Sequence, residues 1–174
     1  MTIFETERLI VRKFTDTDAD DYFALNSNED VMRYIRPVRT REECDKLFNE
    51  TVLKGFADNY KGIWAIHEKE GGKLIGCFVI MPIPEDIEKT QLGYSFLPEY
   101  WGKGFATEVT KAGLDYFRNQ TPLTEIYAVT ETPHIASQKV LLKNGFQFFE
   151  KKMPACPVGR EGEKELLIFI VKRN

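Results

Sequence analysis

Residues 93–108 read GYSFLPEYWGKGFATE. A short apolar run, residues 92–97, stops at Pro98, and a turn follows in which Gly102 and Gly104 flank Lys103. After the turn, Ala106, Val109, Ala112 and Gly113 recur on one face at helical spacing. Strand, glycine turn and helix start together make a place for an anion. The first N–H groups of a helix have no partner inside it, and the helix dipole makes that end positive. Glycines let the backbone come close to the anion, and Lys103 adds a charge. G-x-G alone also describes an ordinary strand–helix connection, so the reading needs support from elsewhere in the chain. Two common nucleotide loops are disfavoured. There is no G-x-x-x-x-G-K followed by Ser or Thr, and Gly102 and Gly104 followed by Thr107 do not make G-x-G-x-x-G.

Trp101-Gly102-Lys103-Gly104-Phe105-Ala106 resembles the acetyl-coenzyme A signature of the GNAT acetyltransferases, Q/R-x-x-G-x-G/A, with Trp101 at the Q/R position. The wider LPEYWGKGFATE resembles the RimJ/RimL-like branch, whose members acetylate protein N-termini. Two further stretches carry the same resemblance. Residues 5–14, ETERLIVRKF, and 18–35, DADDYFALNSNEDVMRYI, resemble the opening of that branch. Residues 133–146, PHIASQKVLLKNGF, resemble the family's N-x-x-S segment, with a helix and a Gly-Phe ending after it. Ser137, Gly145 and Phe146 match there, and His134 stands where the family has asparagine. The three stretches occur in family order and span nearly the whole chain.

Composition agrees with a soluble globular protein. Of 174 residues, 43% are hydrophobic and 29% charged. That length is most simply one domain, residues 1–174, with enough chain for a real core. A net charge of −3 offers no electrostatic argument for nucleic acid or an anionic membrane as partner. No apolar run approaches 20 residues, and Glu5, Glu7 and Arg8 interrupt the N-terminus, so neither a membrane span nor a signal peptide is expected. Cys44, Cys77 and Cys156 are dispersed and odd in number, which suits reduced thiols in the cytoplasm. His67 and His134 are the only histidines, and no metal site is expected.

Along the chain, residues 6–14 read as a first strand, 15–18 as a cap cluster, and the helix after it ends by residue 28. Residues 41–56 carry apolar positions at helical spacing. Residues 62–69 and 74–81 form a hairpin about Gly71-Gly72, and 82–89 read as a charged loop. Beyond the glycine turn the helix runs to about Arg118. Strand 125–130 is apolar on both faces and hence central. Helix 135–144, capped by Gly145, precedes the last strands, 146–151 and 165–172. The result is an α/β (α+β) domain. The resemblance implies the GNAT fold: a mixed, mostly antiparallel sheet of about seven strands flanked by about four helices.

That resemblance implies an N-acetyltransferase using acetyl-CoA as co-substrate. The acceptor is a primary amine on a small molecule or a protein or peptide N-terminus, attacked directly in a ternary complex. A catalytically weakened acetyl-CoA-binding module is the alternative. The assembly is expected to be a monomer or homodimer.

The chemistry sets three needs. A base must take a proton, because an α-ammonium has a pKa near 8 and a lysine ammonium about 10.4. Donors should face the thioester oxygen as it gains charge. An acid can protonate the departing thiolate, the smallest need because a thiol has a pKa of about 8.5. By resemblance, the backbone of Phe96 and Leu97 supplies the donors, on a strand splayed from its neighbour. Trp101, Gly102, Lys103, Gly104, Phe105, Ala106 and Thr107 hold the cofactor together with His134 and Ser137. Ser137 is the candidate acid. The base is undetermined: relatives often carry glutamate where this chain has Gln91, and glutamine takes no proton. Gln91 can orient water or the amine, His134 can titrate near 6.5 or replace the asparagine's hydrogen bond, and Glu161, Glu163 or Glu165 can bring a carboxylate. Residues 30–36, 82–89 and 153–162 should recognise the acceptor, with Arg33 and Arg36 set against Glu85, Asp86 and Glu88.

Overall fold

The computed structural model describes residues 1–84, 86–153 and 165–173. Eight strands form one sheet: β1 (Thr2–Glu5), β2 (Leu9–Lys13), β3 (Gly62–Glu68), β4 (Leu74–Ile83), β5 (Asp86–Phe96), β6 (Glu125–Glu131), β7 (Gln147–Lys152) and β8 (Leu166–Lys172). Their order is β1-β2-β3-β4-β5-β6-β8-β7. Every pairing is antiparallel except β5 with β6.

The eighth strand comes from the N-terminus, where one strand over residues 6–14 was expected. Thr6 turns the chain there. Its N–H donates to the Leu9 carbonyl at 2.9 Å and its hydroxyl accepts from the Leu9 N–H at 2.9 Å, so β1 folds back on β2. The expected charged loop 82–89 is a hairpin instead. β4 continues to Ile83, β5 begins at Asp86, and Ile83 and Thr90 are buried. Of the charges in this stretch, Glu88 is exposed and Lys89 reaches Asp86 at 2.7 Å, both half-buried.

Helices α1 (Ala19–Ser27), α2 (Glu29–Met32) and α3 (Arg41–Leu47) cover one face, and α4 (Phe105–Gln120) and α5 (Ile135–Lys143) the other. The amphipathic pattern over residues 41–56 is realised as α3 followed by a wider π-helical turn, Phe48–Val52. Tyr22, Leu25 and Phe48 pack over Ala65 and Cys77. Val109, Leu114 and Phe117 of α4 pack with Phe78, Leu92 and Ile126 on the opposite face. Gly113 sets that approach: a Cβ there would lie 2.3 Å from the Phe78 ring, so α4 sits closer to the sheet than alanine permits. Among the described residues no helix is long and apolar enough to cross a membrane.

Candidate active site

The site begins where the sheet comes apart. β4 follows β5 as far as the Gly76–Phe96 pair, but β6 meets β5 only at Gln91 against Tyr127. Beyond Gln91 the β6-facing edge of β5 is open. Backbone groups in an antiparallel pair alternate between neighbours. The Leu97 N–H donates to the Ile75 carbonyl at 2.9 Å, so the N–H groups of Tyr94 and Phe96 point the other way, into the gap. The expectation of a free Leu97 backbone is therefore corrected, because its carbonyl is also taken, by the Tyr100 N–H at 3.0 Å. The Phe96 carbonyl accepts the Trp101 indole N–H at 2.7 Å. Trp101 thus fastens the glycine turn to the end of β5.

A cavity of about 730 Å³ occupies the gap, and Gln91, Tyr94, His134 and Ser137 all line it. Ser137 lies in the first turn of α5. The Tyr94 hydroxyl is buried without a hydrogen-bond partner. Burial raises its pKa, and the Ser137 hydroxyl beside it partly offsets that. His134 immediately precedes α5. Its ring stacks on Tyr34 with centroids 4.5 Å apart, and Nδ1 lies 3.4 Å from the Thr130 hydroxyl. Burial lowers the His134 pKa, so the ring is neutral at pH 7 and a weaker base than a free imidazole. The Gln91 side-chain amide donates to the Pro82 carbonyl at 3.5 Å. Cys77 also lines the cavity, but burial pushes its thiol up to about 12, so it holds no thiolate at neutral pH.

Of the carboxylates expected near the site, two that are described are held in ion pairs. Glu165 pairs with Lys151 at 3.0 Å, and Asp86 with Lys89. Glu85, Glu161 and Glu163 lie outside the described residues, as does most of the 153–162 segment. Arg33, Arg36 and Arg39 line the cavity. Of these, Arg39 had no signal in the sequence.

The glycine turn lies apart from this lining, at the start of α4. Gly102 and Gly104 have φ of 73° and 83°, a left-handed backbone that favours glycine. The first helical bond is from the Glu108 N–H to the Gly104 carbonyl at 3.1 Å, so the amides of residues 105–107 precede it. Phe105 buries its ring against Phe96 and offers only its backbone. The space above the turn is open. A Cβ on Gly102 would meet nothing within 4 Å, and one on Gly104 only the Arg8 guanidinium at 3.5 Å. Lys103 lies over the Tyr100 ring at 4.9 Å. The turn fits a pyrophosphate: unpartnered amides, a helix start, open space and two cations. Arg8 was not anticipated, being 95 residues away in sequence. It donates to the Lys103 carbonyl at 3.0 Å, pairs with Glu108 at 2.6 Å and stacks on Phe105 at 4.4 Å.

Comparison with known proteins agrees with this geometry. A family model described as "Acetyltransferase (GNAT) domain" matches residues 8–147. The Bacillus subtilis protein named "Uncharacterized N-acetyltransferase YoaA" is 36% identical over 149 residues, 83% of this chain and 82% of that one. The crystal structure of a GNAT-family acetyltransferase from Bacillus anthracis superposes with a TM-score of 0.82 at 25% identity, covering 99% of this chain and 98% of the other. Spermidine N-acetyltransferase from Vibrio cholerae, solved with CoA and spermine, shares the fold at a TM-score of 0.78 and 20% identity, over 95% of each chain.

Proposed function

The chain belongs to the GNAT family of acetyltransferases, enzymes that use acetyl-CoA, and from that premise we propose how its residues divide the work. Residues 1–174 act as one domain that transfers acetyl directly to a primary amine in a ternary complex. Protein or peptide N-termini, the acceptors of the RimJ/RimL-like branch, are among the candidates. The observation that carries the reading is the cavity at the open edge of β5, lined by Tyr94, Ser137, His134 and Gln91.

Acetyl-CoA supplies the acetyl group as a thioester. The amides of residues 102–107, with Lys103 and Arg8, hold its pyrophosphate. The inward N–H groups of Tyr94 and Phe96 are aimed where carbonyl charge develops, and donors fixed by a sheet need no reorganisation to meet it. Ser137 and Tyr94 present hydroxyls side by side as the proton source for a leaving thiolate. The Tyr94 phenol has the lower intrinsic pKa and no competing partner. His134 remains neutral and fixes its surroundings through Tyr34 and Thr130. Gln91 orients water or the amine. Cys77 is held as a thiol, which favours direct transfer over an acyl-cysteine. The buried free thiols of Cys44 and Cys77 accord with a cytoplasmic enzyme, monomeric or homodimeric.

Thiol release from acetyl-CoA across a panel of amines, with mass spectrometry of the products, tests the proposal. The expected result is an N-acetylated amine formed with stoichiometric CoA. Acetyl-CoA binding without turnover of any amine would favour a binding module, the reading that Gln91 keeps open.

A further inference from the structure

Among the described residues, the charge lining the acceptor side is one-sided, and this bears on the acceptor. Among the described lining residues there are three arginines, Arg33, Arg36 and Arg39, against one carboxylate, Glu131. Arg33 pairs with Asp30. Arg36 and Arg39 have no carboxylate within ion-pair distance among the described residues, unlike Arg8, Arg12, Arg41 and Arg118. His134 stays neutral and adds nothing to balance.

Arg36 is also held in place. Its guanidinium donates to Oδ1 of Asn26 and to the Pro37 carbonyl. Asn26 is 4% exposed, and its own amide donates to the Tyr22 carbonyl at 2.6 Å, which leaves Oδ1 as the acceptor. The Arg39 backbone N–H donates to the Asn26 backbone carbonyl at 3.2 Å, so one buried asparagine holds the Arg36 side chain and the Arg39 main chain. Both acceptors on Arg36 are neutral, and a guanidinium has five N–H donors and does not deprotonate in proteins. Glu43 acts on both arginines from beyond ion-pair distance, so a half-buried guanidinium with donors to spare and no ion-paired carboxylate among the described residues is a place for an anion, to which arginine binds bidentately.

We infer that the acceptor is an amine carrying its own anionic group, a carboxylate or a phosphate, which docks on Arg36 and Arg39. This rests on the proposed acetyltransferase reading of the same cavity. A polyamine would instead bring further positive charge against both arginines, and like charges at close range disfavour binding. The spermidine enzyme of Vibrio cholerae is therefore a fold relative with a different acceptor chemistry.

The test compares matched acceptors: L-leucine with L-leucinamide, O-phosphoethanolamine with ethanolamine, and spermidine. The acidic member of at least one pair should have a kcat/KM at least tenfold above its neutral partner and above spermidine, and the pair that shows it identifies the anion. Arg36→Gln should cut that advantage at least tenfold, through KM. Equal rates within both pairs, preference for spermidine, or an equal loss on acidic and neutral members would overturn the inference. A readout without turnover separates it from the proposal beneath it. With CoA present, N-acetyl-L-leucine or N-acetyl-phosphoethanolamine should raise the Tm of the wild type but not of Arg36→Gln, and N-acetyl-L-leucinamide should not. If no amine turns over, the acetyltransferase reading fails, and the product-binding result alone decides whether the anion site stands.

Discussion

Gly104→Val tests the cofactor end of the site, and its effect divides into two measurable parts. Gly104 has φ of 83°. A left-handed backbone costs a side chain roughly 1–2 kcal/mol, with β-branched residues at the upper end. A Cβ there would meet only Arg8, at 3.5 Å, so backbone strain dominates the loss in the free protein. The second part appears only with ligand, because valine's methyls project into the open space over the amides of residues 105–107. Acetyl-CoA affinity should fall at least tenfold, about 1.4 kcal/mol. Thermal denaturation with and without acetyl-CoA reads both. At a ligand concentration 100 times the wild-type Kd, binding stabilises the wild type by about 2.7 kcal/mol, and a tenfold weaker site by only about 1.4. For a chain of this size that is the difference between a shift of roughly 5–10 °C and one of 3–5 °C. Gly55→Val is the control. Gly55 has φ of 74° and open space around a Cβ, so it should lower the free Tm similarly and keep the full ligand shift. If Gly104→Val folds and retains that full shift, the pyrophosphate does not sit on this turn.

Ser137→Ala should lower kcat roughly 10²-fold, the low end for general-acid effects, and weaken acetyl-CoA binding far less; normal turnover would reduce Ser137 to a cap or a cofactor contact. Tyr94→Phe is the companion measurement, and a larger loss there assigns the proton to the phenol. The pH profile of kcat/KM should climb toward the acceptor amine's own pKa and coincide in wild type and His134→Asn, because burial holds His134 below 6.5 and leaves it a poor base; a limb below 6.5 that vanishes in the variant would make His134 the proton acceptor. Asp18 predicts acid sensitivity of the fold. Burial alone would raise its carboxyl, but two bonds from Arg12, at 2.7 and 2.8 Å, and two from Thr15 more than offset this and hold it at about 2. Its folded pKa is depressed from 3.8, so its contribution of about 2 kcal/mol is present above pH 4 and lost as pH falls toward 2. Urea unfolding should show that loss in wild type and a flatter pH dependence in Asp18→Asn.

The turn around Gly102 and Gly104 was legible because it is local. Pro98, two glycines and a helical period lie within 20 residues, and each has a backbone consequence independent of the rest of the chain. Ser137 and His134 were legible for a similar reason, flanking the start of a helix that Gly145 closes. What the sequence concealed is long-range. Arg8 reaches the same turn only because the β1–β2 hairpin brings it beside Glu108, and nothing near Arg8 announces a phosphate. Leu97 misled because the direction of its amide depends on register with Ile75, and a one-residue change in register reverses it.

Charge shows the same division most sharply. In sequence, Arg33 and Arg36 are set against Glu85, Asp86 and Glu88, which left small-molecule amines and peptide N-termini both open. Folding sorts these charges by place. β4 runs to Ile83 and β5 starts at Asp86, which is satisfied by Lys89 three residues along. Arg36 and Arg39 sit on the chain after α2, where buried Asn26 holds the Arg36 guanidinium and the Arg39 main chain. A count of charges along the chain cannot distinguish an acid that neutralises the site from one that only solvates a strand, because that depends on which side of the sheet each faces. The proposed acceptor therefore rests on the fold and not on the motif, and the matched acidic and neutral amines test it.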